Sequence, residues 1–219
     1  MTSARRSSPG SKSRRVISSQ SIFTIGHSTR SIGEFIGMLK AHGVKRLVDV
    51  RTIPRSRHNP QFSSETLAQS LAEARIGYTH LPRLGGLRKT SSASKNQGWR
   101  NASFRGFADY MQTSEFEAGL GKLIELSKKK LTAVMCAEAV PWRCHRSLIA
   151  DALKARGIAV EHIMSTTKRQ RHKMTPFARR RGRLITYPAP KASRRKVPKS
   201  DKGAANHGPA KAESSSIAS

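Results

Sequence analysis

Residues 21–51, SIFTIGHSTRSIGEFIGMLKAHGVKRLVDVR, show how strands and helices alternate in this chain. They begin with SIFTIG, a short apolar run typical of a buried strand. Ser31 and Glu34 then form the capping-box pattern that starts a helix, and Gly43 is suited to end that helix. A second apolar run, KRLVDVR, follows. A strand, a helix and another strand in this order indicate two parallel strands joined by a right-handed crossover.

The same alternation of strands and helices continues along the chain. YTHLP (78–82), LTAVMC (131–136) and IAVEHIM (158–164) are further short apolar runs that we interpret as strands. One helix is predicted to start at Ser63 or Ser64 and to end at Gly77. The capping box Ser114 and Glu117 is predicted to start another helix, and Gly157 to end the last one. The sequence therefore predicts an α/β fold: a single three-layer, Rossmann-like domain with a mostly parallel sheet.

The charge of the chain is concentrated at its two ends. The net charge is +29; residues 1–20 carry five basic and no acidic residues, and residues 166–219 carry 15 basic and two acidic residues. Apolar side chains are sparse in both segments, so little burial would offset the entropy lost on ordering them. We therefore predict a disordered basic arm at 1–20, the α/β domain at 21–165, and a disordered basic tail at 166–219.

Basic tails of this kind bind polyanions by releasing counterions. Nucleic acid is thus an expected partner, although such tails can also serve only solubility. The chain has no apolar run of membrane-spanning length and no apolar signal core, so no membrane association is expected and the cytoplasm is the default location. The basic, serine-rich N-terminus is also compatible with an import peptide. Two cysteines do not form a secreted disulfide framework.

Polar side chains follow several of the predicted strands. His27 comes after the first strand, Arg51 after the second, His80 near the end of the third, and Cys136 and Glu138 after the fourth. Ligands in open α/β sheets bind at the carboxyl ends of the strands. We therefore expect these side chains to converge at one edge of the sheet.

Both cysteines lie in MCAEAVPWRCHR, residues 135–146. Cys144 falls near the first turn of a helix, whose dipole favours the thiolate, and Arg143, His145 and Arg146 add positive potential. Cys136 lies in more apolar sequence, which raises a thiol pKa. In the alternative interpretation, each cysteine is simply a small buried apolar residue. The catalytic candidates are Cys136, Cys144, Glu138 and His27.

The cysteine spacing fits no common zinc motif, redox C-x-x-C motif or phosphatase loop, and GHS at 26–28 is neither a P-loop nor a dinucleotide motif. No metal and no cofactor are therefore predicted. Arginine forks, in contrast, suit phosphate groups, and an aromatic and arginine mixture such as that in NQGWRNASFR (96–105) could stack a base. The candidate substrate-binding residues are Arg51, Arg55, Arg57, His80, Arg88, Arg105, His145 and Arg146.

Five motifs occur in order along the chain: TIGHS, LVDVR-x-x-PRSR, HLP-x-LGG-x-R, FRGFADYM and MCAEAVPWRCHR. Together they resemble the DUF488 family of uncharacterised proteins over about residues 22–164. The resemblance implies a compact α/β domain that carries these motif residues at its site. Since the family has no assigned activity, the resemblance supports the site rather than a reaction.

Three functions remain open from the sequence. The first is an enzyme that uses a thiol, a carboxylate and arginines on a phosphate-bearing substrate, such as a nucleotide or nucleic acid. The second is a non-catalytic nucleic-acid-binding protein whose affinity comes from residues 1–20 and 166–219. The third is a redox-responsive or metal-responsive protein that uses Cys136 and Cys144.

Overall fold

The computed structural model describes residues 21–190; residues 1–20 and 191–219 lie outside the described part. The α-helices in this range are α1 (Ile32–Ala41), α2 (Ser64–Glu73), α3 (Ala102–Tyr110), α4 (Ser114–Lys129) and α5 (Arg146–Ala155). The strands are β1 (Ser21–Gly26), β2 (Arg46–Asp49), β3 (Gly77–His80), β4 (Thr132–Cys136), β5 (Ala159–Ile163), β6 (Arg169–Arg171), β7 (Arg179–Arg181) and β8 (Leu184–Thr186). None of these helices is long and apolar enough to cross a membrane.

Six strands form one sheet in the order β3-β2-β4-β1-β5-β6. The first five are parallel to one another, and β6 pairs with β5 in the antiparallel sense. β7 and β8 form a separate antiparallel hairpin. The predicted α/β fold with a mostly parallel sheet is confirmed.

Hydrophobic cores cover both faces of the sheet, which makes the domain three-layered. Ile22 and Val134 belong to a core built with α3, α4 and α5, whereas their chain neighbours Phe23 and Ala133 belong to a core built with α1 and α2. This alternation follows from the two-residue period of a strand. Helices on both faces leave the carboxyl edge of the sheet open between them.

Local signals set most of the helix boundaries. Ser31 Oγ accepts a hydrogen bond from the backbone N–H of Glu34 at 3.2 Å, and Gly43 has the positive φ of 68° expected where α1 ends. The predicted end of α2 at Gly77 is wrong. The left-handed position there is taken by Arg75, with a φ of 59°, and Gly77 is the first residue of β3.

The capping residue of α4 also differs from the prediction by one position. Thr113, rather than Ser114, caps the helix, and its Oγ1 accepts from the N–H of Phe116 at 3.3 Å. Two adjacent hydroxyl side chains give the same sequence signal. Only the backbone conformation distinguishes them, because a capping residue must be extended and Ser114 is already helical.

The domain extends beyond the predicted boundary at residue 165. Residues 166–190, which composition assigned to the disordered tail, form β6 and the β7–β8 hairpin. Asp151, fully buried in α5, holds this segment: its carboxylate accepts hydrogen bonds from Thr175 Oγ1 at 2.6 Å and from the Tyr187 hydroxyl at 2.9 Å, and lies 2.8 Å from His172 Nε2. A few well-placed polar anchors therefore order a segment whose composition is poor in apolar residues.

Candidate functional site

A cavity of about 670 Å³ opens at the carboxyl ends of β1, β2 and β4. It lies where the sequence predicted a site, and several of the predicted side chains line it. Those side chains are His27, Arg51, Arg55, Cys136, Glu138, Cys144 and His145, together with Arg143.

The loop after β4 forms one wall of the cavity and lies directly against β1. The N–H groups of His27 and Ser28 donate to the carbonyls of Cys136, at 3.0 Å, and Ala137, at 2.8 Å. A Cβ atom at Gly26 would overlap the carbonyl group of Glu138. Glycine is therefore required at the end of β1 so that the two loops can meet.

Arg146 holds the same loop in place. Its side chain is 1% exposed, and its guanidinium donates to the carbonyl oxygens of Glu138 and Ala139. Arg146 does not belong to the residues that line the cavity. Arg146, predicted to bind substrate, is therefore a positioning residue, since charge in a sequence does not reveal whether the group is already occupied.

Arg51 is likewise held by the protein. Its guanidinium forms a buried ion pair with Asp49, with Nη2 2.6 Å from Oδ2, and donates to the carbonyl of Phe62 at 2.7 Å. The buried carboxylate of Asp49 is thus paired with the arginine two residues after it. Arg51 lines the cavity, yet most of its N–H donors are bound to Asp49 and to the carbonyl of Phe62. We therefore interpret Arg51 as a residue that positions the loop after β2 rather than one that binds substrate.

Four other predicted substrate-binding residues do not line the cavity. His80 Nε2 lies 2.9 Å from the carbonyl oxygen of Arg51. Arg88 lies over the ring of Tyr110, 3.6 Å from its centroid, and Arg105 donates to the carbonyl of Trp99. Arg57 is exposed on the loop after β2. Residue type and position in the sequence suggested these side chains, but their contacts in the structure lie away from the cavity.

The two thiols meet at one imidazole. His145 Nδ1 lies 3.7 Å from Cys136 Sγ and 3.8 Å from Cys144 Sγ, and the N–H of Arg146 donates to Cys144 Sγ at 3.5 Å. Both cysteines are reduced, buried residues, 7% and 3% exposed. The imidazole packs against Phe107 and against Gly86, where a Cβ would lie 2.5 Å from Nδ1. His145 Nδ1 therefore faces both thiols, while the predicted role of His145 in substrate binding stays a prediction.

The two thiols have opposite proton affinities. Burial alone raises the pKa of Cys144, but hydrogen bonds from Cys136 and His145 and the positive charge of Arg146 outweigh it and hold this pKa well below its ordinary value. The hydrogen bond to Cys144 and burial both raise the pKa of Cys136 well above its ordinary value. Cys144 is therefore the thiolate of the pair, and Cys136 is the thiol that donates to it.

His27 is a neutral imidazole with a defined tautomer. Burial lowers its pKa, and its ring stacks on Phe62 at a centroid distance of 4.3 Å. Nδ1 lies 2.8 Å from the carbonyl oxygen of Ser28, which can only accept, so Nδ1 carries the proton. Nε2 then accepts from Arg51 Nη1 at 3.4 Å, so its lone pair is engaged by a cation, and the role of His27 as a proton acceptor stays a prediction.

Two cationic side chains at the cavity have no ion-pair partner in residues 21–190. These are Arg55 and Arg143, both exposed. The carboxylate of Glu138 is exposed as well and forms no ion pair with an arginine of residues 21–190. Arg143 was noted in the sequence only for its positive potential. Asn101 and Ser103 lie within the stretch 96–105 but were not chosen as site residues, because a helix cap and its first turn do not reveal that they face a cavity.

Cys136, Cys144 and His145 could also hold a metal ion, because their ligand atoms lie within 4.8 Å of one another. Two sulfurs and one imidazole nitrogen suit a thiophilic cation such as Zn²⁺. The linear C-x7-C-H spacing does not match a common zinc motif, so only the fold makes this cluster visible.

Comparison with known families gives one match. A family model described as "Domain of unknown function DUF488" matches residues 31–153, a range that contains the cavity-lining loops after β2 and β4. No curated protein and no solved structure matches the chain.

Proposed function

Because the chain belongs to the DUF488 family, whose description assigns no activity, we propose its function from the site itself: a thiol-dependent enzyme that acts on a phosphate-bearing substrate. The observation that carries the proposal is the pairing of two buried thiols at His145 Nδ1, in a cavity with two unpaired arginines. Thiolate, imidazole, carboxylate and guanidinium groups in one cavity are the components of covalent catalysis on an anionic substrate.

Cys144 is the nucleophile in this proposal. Its sulfur forms a bond to the electrophilic atom of the substrate, while the bond to the leaving group breaks and that group departs with the electron pair. The oxygen of a water molecule then bonds to the same substrate atom while its bond to sulfur breaks, the sulfur keeps that electron pair as the thiolate, and the proton of the water goes to the carboxylate of Glu138. Cys136 donates its hydrogen bond to Cys144 and thereby stabilises the thiolate before attack.

Arg55 and Arg143 bind the phosphate. Both are exposed at the cavity and neither is neutralised by a described carboxylate, so their donors are available to a ligand. Arg51 and Arg146, in contrast, hold the walls of the site in place. This division assigns phosphate affinity to the two exposed arginines alone.

The test combines alkylation with protection by a phosphate-bearing probe. We expect ADP to slow iodoacetamide labelling of Cys144 in the full chain, as read by mass spectrometry of the peptide. Arg55→Gln with Arg143→Gln should remove this protection, whereas Lys128→Gln with Lys130→Gln, which removes the same charge from the end of α4 and the loop after it, should not.

Turnover provides the second half of the test. Cys144→Ser should abolish any hydrolysis found in a panel of nucleotides and sugar phosphates, while Lys128→Gln should leave it unchanged. Undiminished turnover in Cys144→Ser, or labelling that ADP never slows, would refute the proposal.

A second candidate function is a peroxide-responsive switch, favoured by the proximity of both sulfurs to one nitrogen. The Cys144 thiolate would attack hydrogen peroxide, form a sulfenic acid and release hydroxide; the Cys136 thiol would then displace water from that sulfur to give a disulfide. Peroxide treatment should cause the loss of the two thiol hydrogens, reversible by dithiothreitol. Irreversible oxidation to sulfinic acid without disulfide would contradict this candidate.

A further inference from the structure

A second cavity, of about 260 Å³, lies beside the short turn Pro141–Arg143. Pro141 and Trp142 of this turn line the second cavity, whereas Arg143 lines the first. None of the residues that line the second cavity is Asp or Glu. We call it the basic–aromatic groove and define it by Trp99, Trp142, Gln170, Arg171, Lys173 and Phe177.

The groove offers one exposed aromatic ring on a rigid support. Trp142 is 60% exposed, although it follows the buried Pro141 in a hydrogen-bonded turn. Beside it, Trp99 packs against Phe177 at a centroid distance of 4.9 Å, and its indole N–H is buried without a hydrogen-bond partner in the described chain. An exposed indole loses contact with water when a flat ring stacks on it, so Trp142 is suited to an aromatic ligand.

The rim of the groove is cationic. Arg171 and Lys173 are exposed and form no ion pair within residues 21–190, whereas Arg169 on the same strand is paired with Glu161. Residues 166–190 contain eight basic and no acidic side chains. The carbonyl and amide of the exposed Gln170 lie beside these cations and can bond the edge of a base.

We propose that the basic–aromatic groove binds single-stranded nucleic acid, with an unpaired base stacked on Trp142 and backbone phosphates on Arg171 and Lys173. Stacking platforms that alternate with cations are the means by which proteins hold single strands. A duplex would keep its bases from the indole, and a membrane would require several exposed apolar side chains, of which Trp142 is the single large one in this groove. The proposal does not depend on the thiol chemistry.

The location also differs from the one expected from the sequence. The sequence predicted that the unfolded tails supply the affinity for nucleic acid and that the stretch around Trp99 and Arg105 stacks a base. In the structure, Trp99 supports the groove and Arg105 donates to its carbonyl, so Trp142 is the ring that remains free to stack. Residues 170–173, which were assigned to the tail, instead form one side of the basic–aromatic groove.

The test measures binding of a fluorescent single-stranded oligonucleotide to the full chain by anisotropy, at about 0.2 M salt so that diffuse attraction is screened. Trp142→Ala should raise Kd about tenfold, as loss of one stacked base does. Leu184→Ala, which truncates another exposed apolar side chain, is the matched control and should leave Kd unchanged.

The contribution of the cations is measured with paired variants. Arg171→Gln with Lys173→Gln should lower the slope of log Kd against log salt by about 1.4, because each phosphate contact with a single strand contributes about 0.7. Lys128→Gln with Lys130→Gln, which removes the same charge elsewhere, should change the slope less. Equal effects of the two pairs, or an unchanged Kd in Trp142→Ala, would overturn the proposal.

Two further readouts distinguish binding in this groove from binding at the thiol site or to a lipid surface. The chain has two tryptophans, and their fluorescence can be followed as the oligonucleotide binds. If the oligonucleotide quenches this fluorescence in the natural protein but not in Trp142→Phe, the base stacks on Trp142. Cys144→Ser should bind normally, which separates failure here from failure of the thiol mechanism. Trp142-dependent binding to phosphatidylserine vesicles without any such dependence for the oligonucleotide would replace nucleic acid by a lipid surface and refute the proposal.

Discussion

Replacing Asp151 by alanine should release residues 166–190 from the domain. The Asp151 carboxylate is fully buried and meets four polar groups: His172 Nε2, the N–H and Oγ1 of Thr175, and the Tyr187 hydroxyl. Tyr187 is itself fully buried, and burial raises its pKa well above the ordinary value, so its hydroxyl stays protonated and needs an acceptor.

The expected loss follows from the donors that would remain unpaired. A buried donor without a partner costs about 1–3 kcal/mol, and these donors share one environment, so their costs do not simply add. A hydrogen bond to a charged group contributes about 1.5–3 kcal/mol, and Asp151→Ala removes several such bonds at once. We therefore expect Asp151→Ala to lower the free energy of unfolding by roughly 4 kcal/mol.

Urea denaturation followed by circular dichroism measures this change, and hydrogen exchange locates it. Amides of residues 169–186 should lose protection in Asp151→Ala. The matched control is Glu117→Ala, which removes the half-exposed ion pair with Arg156 and should cost at most about 1 kcal/mol. If Asp151→Ala costs no more than Glu117→Ala and leaves β6–β8 protected, the buried carboxylate does not anchor the segment.

Three other predictions concern the site and the core. Iodoacetamide should label Cys144 at pH values well below the unperturbed thiol pKa of about 8.5, and labelling that rises only near that pH would contradict the thiolate assignment. Gly26→Ala should destabilise the protein by about 1–3 kcal/mol, because the alanine methyl group would overlap the carbonyl of Glu138. The control is Gly37→Ala in α1, where the added methyl group meets open space and the change should be neutral or stabilising. Similar urea midpoints for the two variants would argue against the contact at Gly26. Burial lowers the pKa of His162 to about 3, so between about pH 6.5 and pH 3 this histidine is protonated in the unfolded chain but not in the folded one. Stability should therefore fall as the pH drops through this range. If a His162→Gln variant shows the same dependence of the urea midpoint on pH, this histidine is not the cause.

The sequence predicts local features better than partners. Ser31 was identified as a cap because the bond it makes reaches only three residues, and Cys136 was placed at the site edge because strands end where apolar runs end. Arg51 and Arg146 have the same sequence appearance as Arg55, yet their guanidinium groups are occupied by Asp49 and by loop carbonyls. Which arginine is free depends on contacts between distant segments.

The same limitation explains the domain boundary. Composition measures how much apolar surface a segment can bury, and residues 166–190 have little. Composition does not show that the Asp151 carboxylate binds three residues of this segment, His172, Thr175 and Tyr187. The position of His145 between the two thiols is likewise a property of the turn Pro141–Arg143, which separates Cys144 from the helix that begins at Arg146.

The chain of contacts from Thr24 to His162, His172 and Asp151 has an implication for biosynthesis. Thr24 Oγ1 lies 2.7 Å from His162 Nδ1, and His162 Nε2 lies 3.0 Å from His172 Nδ1, so the contacts reach from the first strand to residues that the ribosome adds much later. Until Tyr187 has been translated, the Asp151 carboxylate lacks one of its donors. In a nascent chain only β2 and β3 can pair before β4 is made, because β1 pairs with β4 and β5, and the polar interior of the domain is complete only when the last described strands emerge.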